Sequence, residues 1–175
     1  MKGVIVYKGK YGATLQYAIW LGAALNLQVL KTDFVKPGAP KIAEADYVII
    51  GTSVYIGKFQ VAAWLKQNAS LLEGKKLLFF VVAGTPPGET EKLMSYYTQG
   101  VPESLRRRAS VHFLPGSLQY SRLSLMDKIL LRMGSRLAAL KGGKIHMSDY
   151  NNVREENLAP VISDARSFDA ISILT

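Results

Sequence analysis

Residues 4–17 read VIVYKGKYGATLQY, and this stretch decides the fold. The apolar run Val4-Ile5-Val6-Tyr7 stops at Lys8, and Gly9 and Gly12 interrupt the segment that follows. From Thr14 onward the apolar spacing turns helical. A strand feeding a short glycine-bearing loop and then a helix start is an anion cradle: main-chain N–H groups converge there, and the helix dipole favours negative charge. At the head of the chain, this unit supplies strand one and loop one of a doubly wound sheet, where the ligands of such sheets bind.

Outward from it the alternation continues. Strands are expected at 27–30, 46–51, 76–83 and 109–114. The runs at 46–51 and 76–83 are apolar at nearly every position, as parallel strands covered on both faces are. Helices are expected at 14–25, with Leu15, Ala18, Ile19, Gly22 and Leu25 on one face, and at 59–72, with Val61, Trp64, Leu65 and Leu72 inward. Another is expected at 89–97, while 37–40 reads as loop. Strands and helices interleaved in this way predict an α/β fold with a five-stranded parallel sheet. Three strand ends release glycine-bearing loops, at 8–14, 52–58 and 84–88, which are expected to converge on one ligand.

Farther along, 125–141 is a long amphipathic helix. Leu125, Met126, Ile129, Leu130, Met133, Leu137 and Leu140 form its apolar face; Lys128, Arg132 and Arg136 recur on another. Gly142-Gly143 ends it. A last helix is expected from Pro160, with Val161, Ile162, Ala165 and Phe168 inward.

The 175 residues suit a single domain, 1–175, and pattern and composition show no repeat or linker. Hydrophobic residues make up 49 % and mean hydropathy is +0.10. That is high for a soluble domain, yet no charge-free stretch is long enough to cross a bilayer. No secretory signal is seen, and a cytoplasmic location is expected. Cysteine is absent, which excludes disulfides, zinc–thiolate sites, iron–sulfur clusters and a cysteine nucleophile. Twenty-two Lys and Arg against 13 Asp and Glu leave a net charge of +9, which favours acidic ligands or anionic surfaces. Those basic residues are dispersed and no recognition motif accompanies them, so no specific nucleic-acid partner is expected. His112 reads as a packing or surface residue, His146 has no evident partner, and no metal cluster is visible.

The first loop has phosphate chemistry. Gly9 and Gly12 let the backbone approach an anion, Thr14 adds a hydroxyl at the helix start, and Lys8 and Lys10 add charge. The bland alternative is an ordinary strand-to-helix turn that uses glycine for its backbone freedom. The loop is neither a Walker sequence nor the dinucleotide fingerprint, whose glycine spacings it lacks. In the second loop Tyr55 either stacks on a flat aromatic ligand or packs over the sheet end.

The segments YKGKYGAT, IIGTSVYIGKF, the bare strand ending at Ala83-Gly84, and PGSLQYSRLSLMDK resemble the flavodoxin family. Within it they are most similar to the branch of flavodoxin-type, menaquinone-dependent protoporphyrinogen oxidases. The resemblance runs from Met1 to about Asp149. In the family's first motif, roughly Tyr/Phe-x-Ser/Thr-x-x-Gly-x-Thr, Tyr7, Gly12 and Thr14 fit; Gly9 replaces the hydroxyl residue, and Lys8 stands where a small residue is common.

The resemblance implies a flavodoxin-like three-layer sandwich with sheet order 2-1-3-4-5 and FMN as a non-covalent cofactor. It implies that Lys8, Gly9, Lys10, Tyr11, Gly12, Ala13 and Thr14 surround the phosphate. Thr52, Ser53, Val54, Tyr55, Ile56 and Gly57 would lie beside the flavin ring, with Ala83, Gly84 and Thr85 on its other side. The helix around 118–141 would be an insertion, and Tyr120 and Arg122 just before it could reach the ligand, Arg122 suiting a propionate.

The activity implied is FMN-dependent electron transfer from a porphyrinogen-like substrate to a quinone, with the basic, apolar helix on an anionic membrane surface at the inner face of the cell membrane. The helix could instead dock on the domain or form a homodimer. Two other readings stay open: a soluble flavodoxin-type electron carrier working with a redox partner protein, and a non-enzymatic binding protein with a degenerate FMN site. No metal and no catalytic side chain are implied.

Overall fold

In a computed structural model of the chain, residues 1–35, 39–86, 88–140 and 148–171 are described, without the side chains of 137–139 and 169–171. The apolar opening run forms β1 (Gly3–Lys8). Gly12 then caps α1 (Ala13–Leu25). Asn26, left-handed at φ 52°, ends that helix, and the Leu27 N–H turns back to the Gly22 carbonyl at 2.9 Å. Leu27 therefore belongs to the helix cap, and β2 occupies Val29–Lys31 rather than 27–30. Pro40 opens the short α2 (Pro40–Ala43), as proline does at a first helical position.

β3 (Tyr47–Tyr55) runs four residues past the apolar segment that announces it. Ile56 and Gly57, both at positive φ (49° and 70°), turn the chain back into β4 (Lys58–Phe59). Two central residues at positive φ make the primed type of hairpin turn. The single helix expected at 59–72 is thus divided. Its start is strand β4, its middle is α3 (Ala62–Gln67), and its end is a separate 3-10 turn, Ser70–Leu72. Val61, Trp64, Leu65 and Leu72 are buried as the pattern predicts.

β5 (Lys76–Ala83), α4 (Thr90–Gly100), α5 (Glu103–Arg106) and β6 (Ala109–Pro115) follow. Beyond them β7 (Ser117–Leu118) leads to α6 (Leu125–Leu140). The chain returns through β8 (Tyr150–Asn151), antiparallel to β7, and closes with α7 (Ala159–Ile171). The helix stop at Gly142-Gly143, His146, the Leu137 side chain, Pro87 and the first part of the 37–40 loop lie outside the described residues.

The main sheet runs β2-β1-β3-β5-β6, all parallel, with β4 attached antiparallel to β3. This is the expected 2-1-3-4-5 order with a hairpin strand added. Alternate residues serve opposite cores. Val4, Val6, Val48, Ile50, Phe79 and Val81 pack under α3, α4 and α5, while Ile5, Ile49, Leu78 and Phe80 pack under α1 and α7. Three layers result.

On α7 the pattern holds: Val161 and Ala165 are buried, with Ile162 and Phe168 packed against them. On α1 it is rotated. Tyr17, Ala18, Leu21 and Gly22 face inward, whereas Leu15 is 39 % and Ile19 50 % exposed. A polar anchor turns the helix this way, since the Tyr17 hydroxyl donates to the Pro115 carbonyl at 2.9 Å. Much of the apolar face of α6 is open among the described residues: Leu125 is 80 % exposed, and Met126, Ile129 and Met133 are exposed too.

Candidate functional site

Because the main strands are parallel, all their carboxyl ends lie at one edge, and the loops they release meet there. One cavity is lined by Lys10, Tyr11, Ala13 and Thr14 of the first loop, Ser53, Val54 and Tyr55 of β3, and Val82, Ala83 and Gly84 at the end of β5, with Gly116 and Ser117 after β6. The three expected loops do converge. An adjoining cleft shares Tyr11, Ala13 and Ser117 and adds Gly12, Gln16, Arg122 and Leu123. The cavity holds about 80 Å³ and the cleft about 280 Å³. Together they reach the lower end of the range for small-molecule sites, about 300–1,000 Å³.

The expected residues outside the cavity have visible occupations. Lys8 is ion-paired with Asp33 at 2.9 Å, on the β2 side of the sheet. Gly9 lies beneath Thr14, and Gly12 borders the cleft. Thr52 is fully buried, its Oγ1 accepting the Val61 N–H at 3.3 Å. Ile56 and Gly57 form the hairpin tip, and Thr85 lies one residue beyond the cavity lining. Arg122 borders the cleft, and among the described residues no acidic side chain lines it; Tyr120 is in the lining of neither space.

Gly12 sits at φ 92°, in the left-handed region that glycine enters freely. No side chain caps α1 and no acid lies in its first turn. Its opening N–H groups, which have no acceptor within the helix, therefore face the loop unneutralised. With Lys10 and the Thr14 hydroxyl beside them, this donor set matches a phosphate. The aromatic and small residues of the other two loops match a flat ring.

One member of the site is not visible in the sequence. Asp127, on the first turn of α6, reaches back to the loops and is almost wholly buried. Lys10 Nζ donates to its Oδ1 at 2.9 Å, and the Tyr55 hydroxyl donates to the same oxygen. Lys10 also donates to the Tyr55 oxygen at 3.0 Å and lies 4.2 Å from the centre of that ring. The Asp127 carboxylate first, then Tyr55, holds the Lys10 ammonium above the ordinary lysine range. A Ser-x-x-Asp step, with Ser124 Oγ accepting the Asp127 N–H at 3.1 Å, opens α6; it signals a helix start and says nothing of a distant partner. Among the described residues no cluster of His, Asp or Glu could hold a metal ion. No helix among them is long and apolar enough to cross a membrane.

A doubly wound sheet with a loop-lined cleft at its carboxyl edge defines a ligand-binding α/β class. The family model of the flavodoxin domain matches residues 4–144, and the chain belongs to that family. Among solved structures the chain is similar to Smu.1420 of Streptococcus mutans, with 12 % identity over 75 % of this chain and 96 % of that one, at a TM-score of 0.50. It is also similar to a WrbA-like flavodoxin from Agrobacterium tumefaciens: 20 % identity, 79 % and 95 % coverage, TM-score 0.45. A third is the Fusobacterium nucleatum flavodoxin, solved with flavin mononucleotide bound: 13 % identity, 95 % and 98 % coverage, TM-score 0.47. At these identities the likeness is one of fold. No curated protein matches the chain.

Proposed function

We propose that this protein holds FMN in the loop-lined cavity and passes electrons through it. The observation that carries the reading is the meeting of three strand-end loops at the start of α1, where Gly12 caps the helix without a side chain. In this arrangement the first-turn amides of α1, the Thr14 hydroxyl and Lys10 hold the phosphate. Tyr55, Ala83 and Gly84, which line the cavity, would hold the ring. Bound there, FMN supplies the one- and two-electron chemistry, while the chain supplies position and charge.

A finer reading is that electrons come from a porphyrinogen-like substrate and leave to a quinone at an anionic membrane surface. Two features support it. Arg122 borders a cleft beside the cavity with no acidic neighbour in the lining, which suits a carboxylate. The exposed face of α6 carries Leu125, Met126, Ile129 and Met133, with Arg132 and Arg136 exposed alongside, which suits anionic lipid.

A visible spectrum and an FMN titration test the first reading. Flavin absorbance in the purified protein, or uptake of added FMN, is expected, with weaker binding by Thr14→Ala. A colourless protein that takes up no FMN leaves the alternative of a non-enzymatic binding protein. Flotation with vesicles containing anionic lipid tests the second. The wild type is expected to float and Arg132→Glu/Arg136→Glu to stay behind; equal behaviour of the two removes the membrane contact and leaves a carrier that works free of it.

A further inference from the structure

Asp127 has no part in holding FMN as described above, yet it is the most buried carboxylate near the site, at 5 % exposed. Taking a carboxylate out of water is costly, and such groups gather where their charge is used. Its two partners are far away in sequence, 117 residues to Lys10 and 72 to Tyr55. Lys10 Nζ lies within 3 Å of both carboxylate oxygens, 2.9 Å from Oδ1 and 2.8 Å from Oδ2. Three separate elements therefore meet in one charged cluster: the first loop, the end of β3, and α6. Lys10 and Tyr55 line the cavity, and Asp127 stands behind them.

We propose that Asp127 is a positioning residue of the flavin site, which fixes Lys10 and Tyr55 and cancels the Lys10 charge, so that bound flavin is held at a lower midpoint potential than Lys10 alone would give. The inference rests on the FMN reading.

The direction follows from charge. Reduction adds negative charge to the flavin, and an unpaired ammonium nearby stabilises the reduced form and the phosphate alike. Paired with a carboxylate at 2.8 Å, Lys10 presents a dipole with little net field. Asp127→Asn keeps the side chain's shape and leaves Lys10 cationic. Lys10→Gln does the reverse and strands a negative charge behind the ring.

The test is an FMN titration and a redox titration of wild type, Asp127→Asn, Lys10→Gln and the double variant. Asp127→Asn is expected to bind FMN up to about fivefold more tightly, the upper range for a partly exposed charge pair. Its midpoint potential is expected to rise, by about 59 mV per tenfold gain in preference for reduced over oxidised flavin in a one-electron step. Lys10→Gln is expected to move both quantities the opposite way, and the double variant to return toward wild type.

A wild type that binds FMN with a potential unmoved by Asp127→Asn overturns this inference alone, even if that variant melts earlier, since lost packing lowers stability without raising the potential. A wild type that binds no FMN overturns the flavin reading and this inference with it. Should Asp127→Asn not fold, Asp127→Ser takes its place: a raised potential supports the inference and an unmoved one overturns it.

Discussion

Gly9 and Thr14 share the room of one side chain. A Cβ at Gly9 would lie 2.5 Å from Thr14 Oγ1 and 2.6 Å from its Cβ, far inside contact distance. Thr14 is 1 % exposed, so its hydroxyl is held in that space. Gly9 stands where the resembled motif carries a hydroxyl residue, and in this structure the Thr14 side chain lies in the space that a side chain at position 9 would enter.

Gly9→Ser is therefore expected to lose about 1–3 kcal/mol of stability by overpacking. Pairing it with Thr14→Ala, which vacates the space, is expected to recover part of the loss. Urea denaturation of the two variants is the check; a Gly9→Ser protein as stable as wild type removes the steric account.

Ile56 is a β-branched residue at φ 49°, a conformation that strains it, and it is exposed at the hairpin tip. Replacing it by asparagine, which tolerates this region, is expected to add about 1 kcal/mol. Gly57→Ala, at φ 70°, is expected to cost a similar amount. Thermal melts of the pair should move in opposite directions.

The buried Tyr17 hydroxyl donates to the Pro115 carbonyl at 2.9 Å and accepts from Asn157 Nδ2 at 2.8 Å. Tyr17→Phe leaves both groups short of a partner, for an expected loss of about 1–3 kcal/mol. Asn157 also donates to the Asn152 carbonyl, so the loss is expected to loosen the chain just after β8. Hydrogen exchange at 152–158 should rise more than at β3.

Asp33 bridges Lys8 at 2.9 Å and Lys31 at 3.2 Å. Lys8 first, then Lys31, holds its carboxyl below the ordinary range. A lowered folded value means that the pair stabilises the fold at pH above about 3.9, the unfolded value, and that this contribution fades as pH falls through the folded one. Wild type is expected to exceed Asp33→Asn in stability at pH 6, and the gap to close in strong acid. All three side chains are more than a third exposed, so the gap should be small and should shrink in high salt. A gap that widens on acidification contradicts the pairing.

The strands were legible because parallel strands covered on both faces carry few polar positions: 47–50 and 77–83 announce themselves. The meeting of the loops followed from parallel topology alone. The orientation of α1 was not legible, since Leu15 and Ile19 fit a helical stripe as well as Tyr17 and Leu21 do, and the hydroxyl bonds of Tyr17 to Pro115 and Asn157 exist only in the tertiary structure. The β3–β4 hairpin was hidden because its turn uses Ile-Gly in place of Asn-Gly. β7 and β8, two residues each, are too short to show a period. Asp127 was the hardest: a lone acid on an amphipathic helix reads as a solvated position, and only the tertiary structure brings it to Lys10.

The pairing of Ser117 with Asn151 and of Leu118 with Tyr150 has a further consequence. The chain leaves and re-enters the sandwich through this narrow ribbon, and the Tyr120 N–H is tied to the Asp149 carboxylate at 2.7 Å just beyond it. The ends of the intervening excursion are held side by side, so outside the first turn of α6, where Asp127 meets Lys10 and Tyr55, its length can drift at little entropic cost. The ribbon makes the appendage a cassette, one that descent or an engineer can trim, lengthen or exchange while the sandwich beneath keeps its shape.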